Sequence, residues 1–156
     1  MARLTERDLA RHPAHEWFVE RLESLARDEC APDRQVAMVE RSAPQGSMPP
    51  LHRRDDDEVY RVLDGEVQFF VGADAVVARR GDVVVAPGGV ARSFRVRSQT
   101  ARWLVLTRVS SLEGFVDFGR AVAAAAPAAP PEPGLAALAA ANGIELLGPP
   151  GALPTT

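Results

Sequence analysis

The chain has 156 residues, a formal charge of −3 and no lysine, all eighteen of its basic residues being arginine. That length fits one domain with a core of ordinary extent; the acidic balance gives no electrostatic footprint for nucleic acid, and the absence of lysine excludes a lysine Schiff base. A single cysteine, Cys30, cannot close an intramolecular disulfide and suits a reducing cytoplasm, the start lacks the layout of a secretory leader, and no apolar run reaches the ~18 residues of a membrane span.

Residues 1–16 set Leu4 and Leu9 among charges and read as a polar arm, in which His12 and His15 are surface histidines rather than a metal pair. From Trp17 to Leu25 the apolar residues fit helical and strand spacing about equally. The barrel core is expected between about residues 35 and 109. Residues 59–63 and 66–71 flank Asp64-Gly65, whose tolerance of positive φ predicts a two-residue type I′ hairpin. Short β-branched or aromatic runs follow at 75–79, 83–86, 93–97 and 102–108, broken by Gly-Asp, Pro-Gly-Gly and Ser-Gln-Thr, the pattern of an antiparallel barrel or jelly roll. Strand parity puts Arg92, Phe94 and Val96 inside and Ser93, Arg95 and Arg97 outside. By the same rule His52 and Arg54 share one face, and Glu58, Tyr60 and Val62 share another. Asp55-Asp56-Asp57 reads as a solvated loop between strands.

Beyond the barrel, Ser110 and Glu113 form a capping-box signature for a helix over 110–125, with Phe115, Phe118 and Val122 along the side that packs on the barrel. Residues 126–133 are a proline-rich linker. Residues 134–156 hold a short helix at 135–141, stopped by Asn142-Gly143, and a tail. The expected organisation is thus an arm (1–16), a barrel (17–109), a helix (110–125), a linker (126–133) and a terminal helix with tail (134–156).

Two spacings carry more than architecture. Gly46, His52, Arg54, Glu58 and Gly65 resemble the first motif of the cupin superfamily, and Gly81, Pro87, Gly89 and Arg92 resemble its second. Together with Trp17-Phe18 ahead of Pro49-Pro50-Leu51-His52, they are similar to small single-domain bacterial cupins of the quercetin-dioxygenase-like group. The resemblance implies an all-β fold, a cupin-type antiparallel β-barrel (jelly roll) with short C-terminal helices, a strand at 17–26, a tail after Ile144 and pairing into a homodimer through outer strands. It also implies a metal held by His52, Glu58 and two further histidines. Those two positions carry Arg54 and Arg92, and the family's closing asparagine is Val96.

A guanidinium offers no lone pair and keeps its proton, and like charges 4 Å apart repel by about 4 kcal/mol at an effective dielectric of 20. The sequence therefore predicts no cofactor; a divalent metal, if held, would use His52 and Glu58. The expected ligand is a small anionic or phenolic organic molecule, clamped by Arg54 and Arg92 between walls of Tyr60, Phe69, Phe94 and Trp103. His52 would carry the proton and Glu58 would orient it or act as base, in a metal-independent isomerisation, cyclisation or dehydration. Two alternatives stand beside this reading: a metal-dependent quercetinase-like dioxygenase, and a non-catalytic binding or structural cupin in which the arginines only plug the vacated site.

Overall fold

The computed structural model describes residues 23–24, 36–108 and 132–154. Strand alternation organises them. The described strands are β1 (Glu23–Ser24), β2 (Val36–Pro44), β3 (Pro50–Arg53), β4 (Glu58–Asp64), β5 (Glu66–Val71), β6 (Asp74–Arg79), β7 (Val83–Ala86), β8 (Arg92–Val96) and β9 (Thr100–Arg108). Helix α1 (Glu132–Ala141) and strand β10 (Glu145–Pro150) complete the set. Two antiparallel five-stranded sheets result among the described residues, ordered β1-β2-β9-β4-β7 and β10-β3-β8-β5-β6, the two-sheet arrangement of a jelly roll.

The inner faces of the sheets follow from period-two patterning. Val39, Val105, Tyr60 and Val84 are register partners across the first sheet, and Trp103 and Val62 lie in the next inward row. From the second sheet come Val67, Phe69, Phe94 and Val96, buried against them. Tyr60 stacks on Phe69 with centroids 4.7 Å apart, and Phe94 meets Trp103 edge-on at 5.0 Å. Such ring pairs add about 0.5–1.5 kcal/mol each beyond the area they bury.

Two expectations change here. Asp64-Gly65 does not close a hairpin, because β4 and β5 belong to different sheets. Gly65 takes a φ of +76° to turn the corner between them, and a Cβ there would collide with the Thr100 carbonyl and lie 2.9 Å from the Ala101 Cα. Asp64-Gly65 does mark a turn, but long-range pairing decides which strands it joins. The two-residue hairpin lies instead at Gly72-Ala73, where Val71 pairs with Asp74. Ser93 faces outward as parity predicts yet is buried, its hydroxyl donating to the Pro49 carbonyl at 3.0 Å.

The C-terminal part also departs from the expected tail. Helix α1 starts at Glu132, inside the expected linker, since proline is tolerated in a first helical turn. Its end is a Schellman motif, with the Ile144 amide donating to Ala139 O at 3.0 Å and the Gly143 amide to Ala140 O at 3.1 Å. Ile144 then packs on Ala139, and residues 145–150 pair antiparallel with β3, covering the edge of the second sheet. Of the expected 17–26 strand only Glu23 and Ser24 fall among the described residues, and these two form β1, paired with β2. His12, His15, Cys30, the 110–125 helix and the first part of the linker lie outside the described residues.

Candidate functional site

Four segments converge at one end of the sandwich: the end of β3, the 54–57 loop, the start of β4, and the Pro87-Gly88-Gly89 turn leading into β8. Close approach of the turn to the loop requires glycine, because a Cβ on Gly88 would occupy the place of the Asp55 carbonyl oxygen. The Gly89 amide donates to the Arg54 carbonyl at 2.7 Å, and the Gly88 amide donates to Asp57 Oδ1 at 2.7 Å. His52 and Arg92 are register partners on β3 and β8, so their side chains start side by side.

At the centre is Glu58, 4% exposed. Its Oε1 accepts Arg54 NH1 at 3.2 Å, while Oε2 accepts Arg92 NH1 at 3.2 Å and the Tyr60 hydroxyl at 2.5 Å. Burial pushes the Glu58 carboxyl up, but Arg54 and Arg92, helped by Arg41, outweigh it and hold the group below the ordinary carboxylate range. The same burial, reinforced by the Glu58 charge, drives the Tyr60 hydroxyl far up, so it stays a donor.

Arg92 is 1% exposed and engaged along its whole fork. Nε donates to Val90 O at 3.3 Å, and NH2 is shared among the carbonyls of Pro87, Asp56 and Arg54 at 2.8, 3.4 and 3.5 Å. It ties the loop, the turn and Glu58 together, as a resident metal ion would organise them, through donated hydrogen bonds instead of accepted lone pairs. The expectation that Arg92 clamps a ligand meets this geometry directly: its donors already serve the protein. Arg54 is 4% exposed, and burial lowers its pKa while Glu58 raises it.

His52 has a different disposition. Nδ1 lies 2.8 Å from the Pro50 carbonyl, which can only accept, so Nδ1 carries the proton and Nε2 keeps its lone pair. Among the described residues Nε2 makes no hydrogen bond. Burial lowers the imidazole pKa below 6.5 despite opposing contributions from the Pro50 carbonyl and Glu58, and the arginines lower it further. His52 is therefore a neutral base of fixed tautomer at pH 7.

One residue escapes the motif spacings. Arg41 sits on β2 between the inward-facing Val39 and Ala43 and opposite Trp103, so its side chain starts toward the interior, where its charge acts on Arg54, Glu58 and Tyr60. The signal was available in the alternation Val39-x-Arg41-x-Ala43, where a basic residue interrupts an apolar face. Of the expected aromatic walls, Phe69 and Trp103 are 1% and 0% exposed and fill the barrel, Phe94 packs against both, and Tyr60 joins this core to the polar cluster through its hydroxyl on Glu58. The Trp103 indole N–H is buried without an acceptor among the described residues. An open cleft of about 450 Å³ lies elsewhere, at the far end of β4, lined by Arg61, Leu63, Asp64, Arg80 and Arg102. It touches none of the cluster.

The donor set does not fit a divalent ion. Both Glu58 oxygens are taken, two ligand positions hold guanidiniums, and no group of three metal-binding side chains occurs among the described residues. The expected acidic loop is partly solvated, Asp55 and Asp57 being exposed, with Asp56 paired to Arg108 at 3.2 Å. No helix among the described residues is long and apolar enough to cross a membrane.

Comparison with known proteins agrees with this architecture. A cupin-domain family model matches residues 38–107, while no curated protein sequence matches the chain. The structure is similar to TT1209 from Thermus thermophilus, at 23% identity over 69% of this chain and 97% of that one, with a TM-score of 0.51. It is similar to the cupin domain of Schizosaccharomyces pombe Cnp3, at 19% identity over 63% and 66% of the two chains, TM-score 0.50. It is also similar to the DMSP lyase DddQ from Ruegeria pomeroyi DSS-3, at 27% identity over 68% and 54%, TM-score 0.51. The chain spans just over half the length of that lyase.

Proposed function

Residues 38–107 of this chain are a cupin domain, and from that premise we propose that its polar end binds a small organic carboxylate or phenolate and moves a proton on it without a metal. The observation that carries this reading is His52: a neutral imidazole, its Nδ1–H fixed on the Pro50 carbonyl, with Nε2 left as acceptor beside a cationic cluster. Around Glu58, the one buried carboxylate among the described residues, stand Arg41, Arg54 and Arg92, an excess of positive charge that favours an anionic ligand.

Nε2 takes a proton from a carbon or hydroxyl of the ligand. The Pro50 carbonyl, accepting from Nδ1, steadies the imidazolium that forms. Arg41 and Arg54 offset the negative charge left on the ligand, and Glu58 keeps those guanidiniums in place. Isomerisation, cyclisation and elimination all begin with such a step. One of the similar structures is a lyase by name, a class within that range.

Titration calorimetry with benzoate, salicylate and phenol tests the reading. The expected outcome is binding of the anions that weakens about tenfold in Arg41→Ala, where one charge-assisted contact is lost. In His52→Ala binding is retained, while deuterium exchange at the acidic carbon next to the carbonyl of a bound 2-oxo carboxylate such as pyruvate, followed by NMR in D2O, is lost. Absence of binding for every carboxylate and phenolate rejects it. A second reading, an inert cluster that only closes the barrel, is favoured by the full engagement of Arg92 and predicts that null result.

A further inference from the structure

The end of β4 remote from Glu58 carries a second cationic recess. It is the open cleft of about 450 Å³ lined by Arg61, Leu63, Asp64, Arg80, Gly81 and Arg102, a volume in the range of sites that take small organic ligands. Strand alternation sets Arg61 outward between the buried Tyr60 and Val62, and Arg102 outward between the buried Ala101 and Trp103. Val62 is opposite Trp103 but Asp64 is opposite Arg102, so β4 advances two residues there while β9 advances one. Such a bulge, here at Leu63, re-aims side chains, and bulges gather at barrel rims and beside binding sites. On the other side the Arg80-Gly81 turn is pinned to β4. The Gly81 amide donates to Val62 O at 2.8 Å, the Val62 amide to Asp82 O at 3.0 Å, and the Arg79 amide to Asp82 Oδ2 at 2.8 Å. Backbone bonds thus set the walls before any ligand arrives.

Charge in this recess is not balanced. Arg102 is steered by Glu40, its Nε donating to Oε1 at 2.7 Å. Arg61 and Arg80 are exposed and make no ion pair among the described residues, and Asp64 is the one carboxylate of the lining. With Glu40 set against Arg102 and Asp64 against one of the other two arginines, a positive charge is left over, on a chain whose formal balance is −3. We propose that this cleft binds the phosphoryl group of a small soluble phosphate monoester. The planar guanidinium fork matches phosphate oxygens, and three forks from two strands and a turn suit a dianion with three terminal oxygens better than a carboxylate with two. Leu63 and the aliphatic arginine stems remain for the organic part. Asp64 lies six residues along β4 from Glu58, roughly 20 Å at strand rise, so this site is separate from the one around His52.

Titration calorimetry of the full chain with glycerol 3-phosphate at constant ionic strength tests the proposal. One equivalent is expected to bind, and glycerol none. Arg61→Ala and Arg80→Ala, both at exposed positions, each weaken binding about tenfold through loss of one charge-assisted contact, and together they abolish it. Asp64→Asn removes the opposing charge and tightens binding about threefold, a gain that a folding defect cannot produce. On titration, amide resonances of Asp64, Gly81 and Arg102 shift and those of His52 and Arg92 stay. His52→Ala leaves phosphate binding unchanged and Arg80→Ala leaves benzoate binding unchanged, so each site stands or fails by itself. Absence of binding for both glycerol 3-phosphate and inorganic phosphate, or binding that survives the double variant, overturns the proposal. Binding only to vesicles containing phosphatidic acid overturns it as well, because the phosphoryl group would then belong to a membrane surface.

Discussion

Glu58 carries the consequences of the site for stability. Its carboxylate lies between two buried guanidiniums, each at 3.2 Å, and a buried charge stripped of its counter-ion costs about 3–5 kcal/mol. Glu58→Gln is therefore expected to lose about that much in urea unfolding at neutral pH. The pH profile follows from two depressed groups. His52 and Glu58 both titrate below their ordinary 6.5 and 4.5 in the folded state. In each case the unfolded chain binds the proton more readily, so the stabilisation is complete above the ordinary value and is lost as pH falls through the lower folded one. Wild-type stability should decline in two stages, the first beginning below about pH 6.5 and the second below about pH 4.5. Glu58→Gln should lose the second stage and keep the first. Urea midpoints measured across that range check it, and a second stage that survives in the variant would refute the assignment.

Turns show what an element-level signal can and cannot say. The Asp64-Gly65 dipeptide announces positive φ, and the chain does turn there, but composition does not report that β9 lies between β2 and β4 or that β5 starts a new sheet. Strand positions from β4 to β9 were legible because alternation is local, whereas β2 was not placed and β10 was expected as a tail. Strand partners were not legible, because sheet order depends on contacts far apart in sequence. Gly65 and Gly143 separate the two costs of a side chain at such positions. Both have positive φ, at +76° and +71°, yet a Cβ on Gly143 meets open space whereas one on Gly65 strikes the β9 backbone at Thr100 and Ala101. Gly143→Ala is expected to cost about 1 kcal/mol, the conformational penalty alone. Gly65→Ala adds a backbone collision and should cost more than about 3 kcal/mol. Thermal unfolding of the two variants reads the difference directly, and equal effects would mean that the corner can relax.

For the molecule as a whole, one exchange of residue type decides what the cupin framework can hold. The motif spacings made His52, Arg54, Glu58 and Arg92 legible as a group, since turn and strand geometry fix those intervals. Arg41 was not, because it reaches the cluster from a strand that the motifs do not cover. The framework itself brings His52, Glu58 and the positions of Arg54 and Arg92 to one end, so the metal preference rests on side-chain chemistry alone. Replacing Arg54 and Arg92 together by histidine removes two fixed positive charges and supplies two imidazole donors beside His52 and Glu58, a set that suits zinc or nickel. The double variant is expected to take up about one equivalent of Zn²⁺ or Ni²⁺ in equilibrium dialysis, and the uptake should disappear when His52→Ala is added. Arg92 also ties together the carbonyls of Arg54, Asp56, Pro87 and Val90, so the variant without metal should unfold at lower urea and recover on metal addition, folding and binding being coupled. Wild type, with its carboxylate already held by guanidiniums, should take up none under the same conditions. Stoichiometric, His52-dependent metal in wild type would instead mean that the arginines yield to the ion, and the charge argument on which the metal-free reading stands would fail with them.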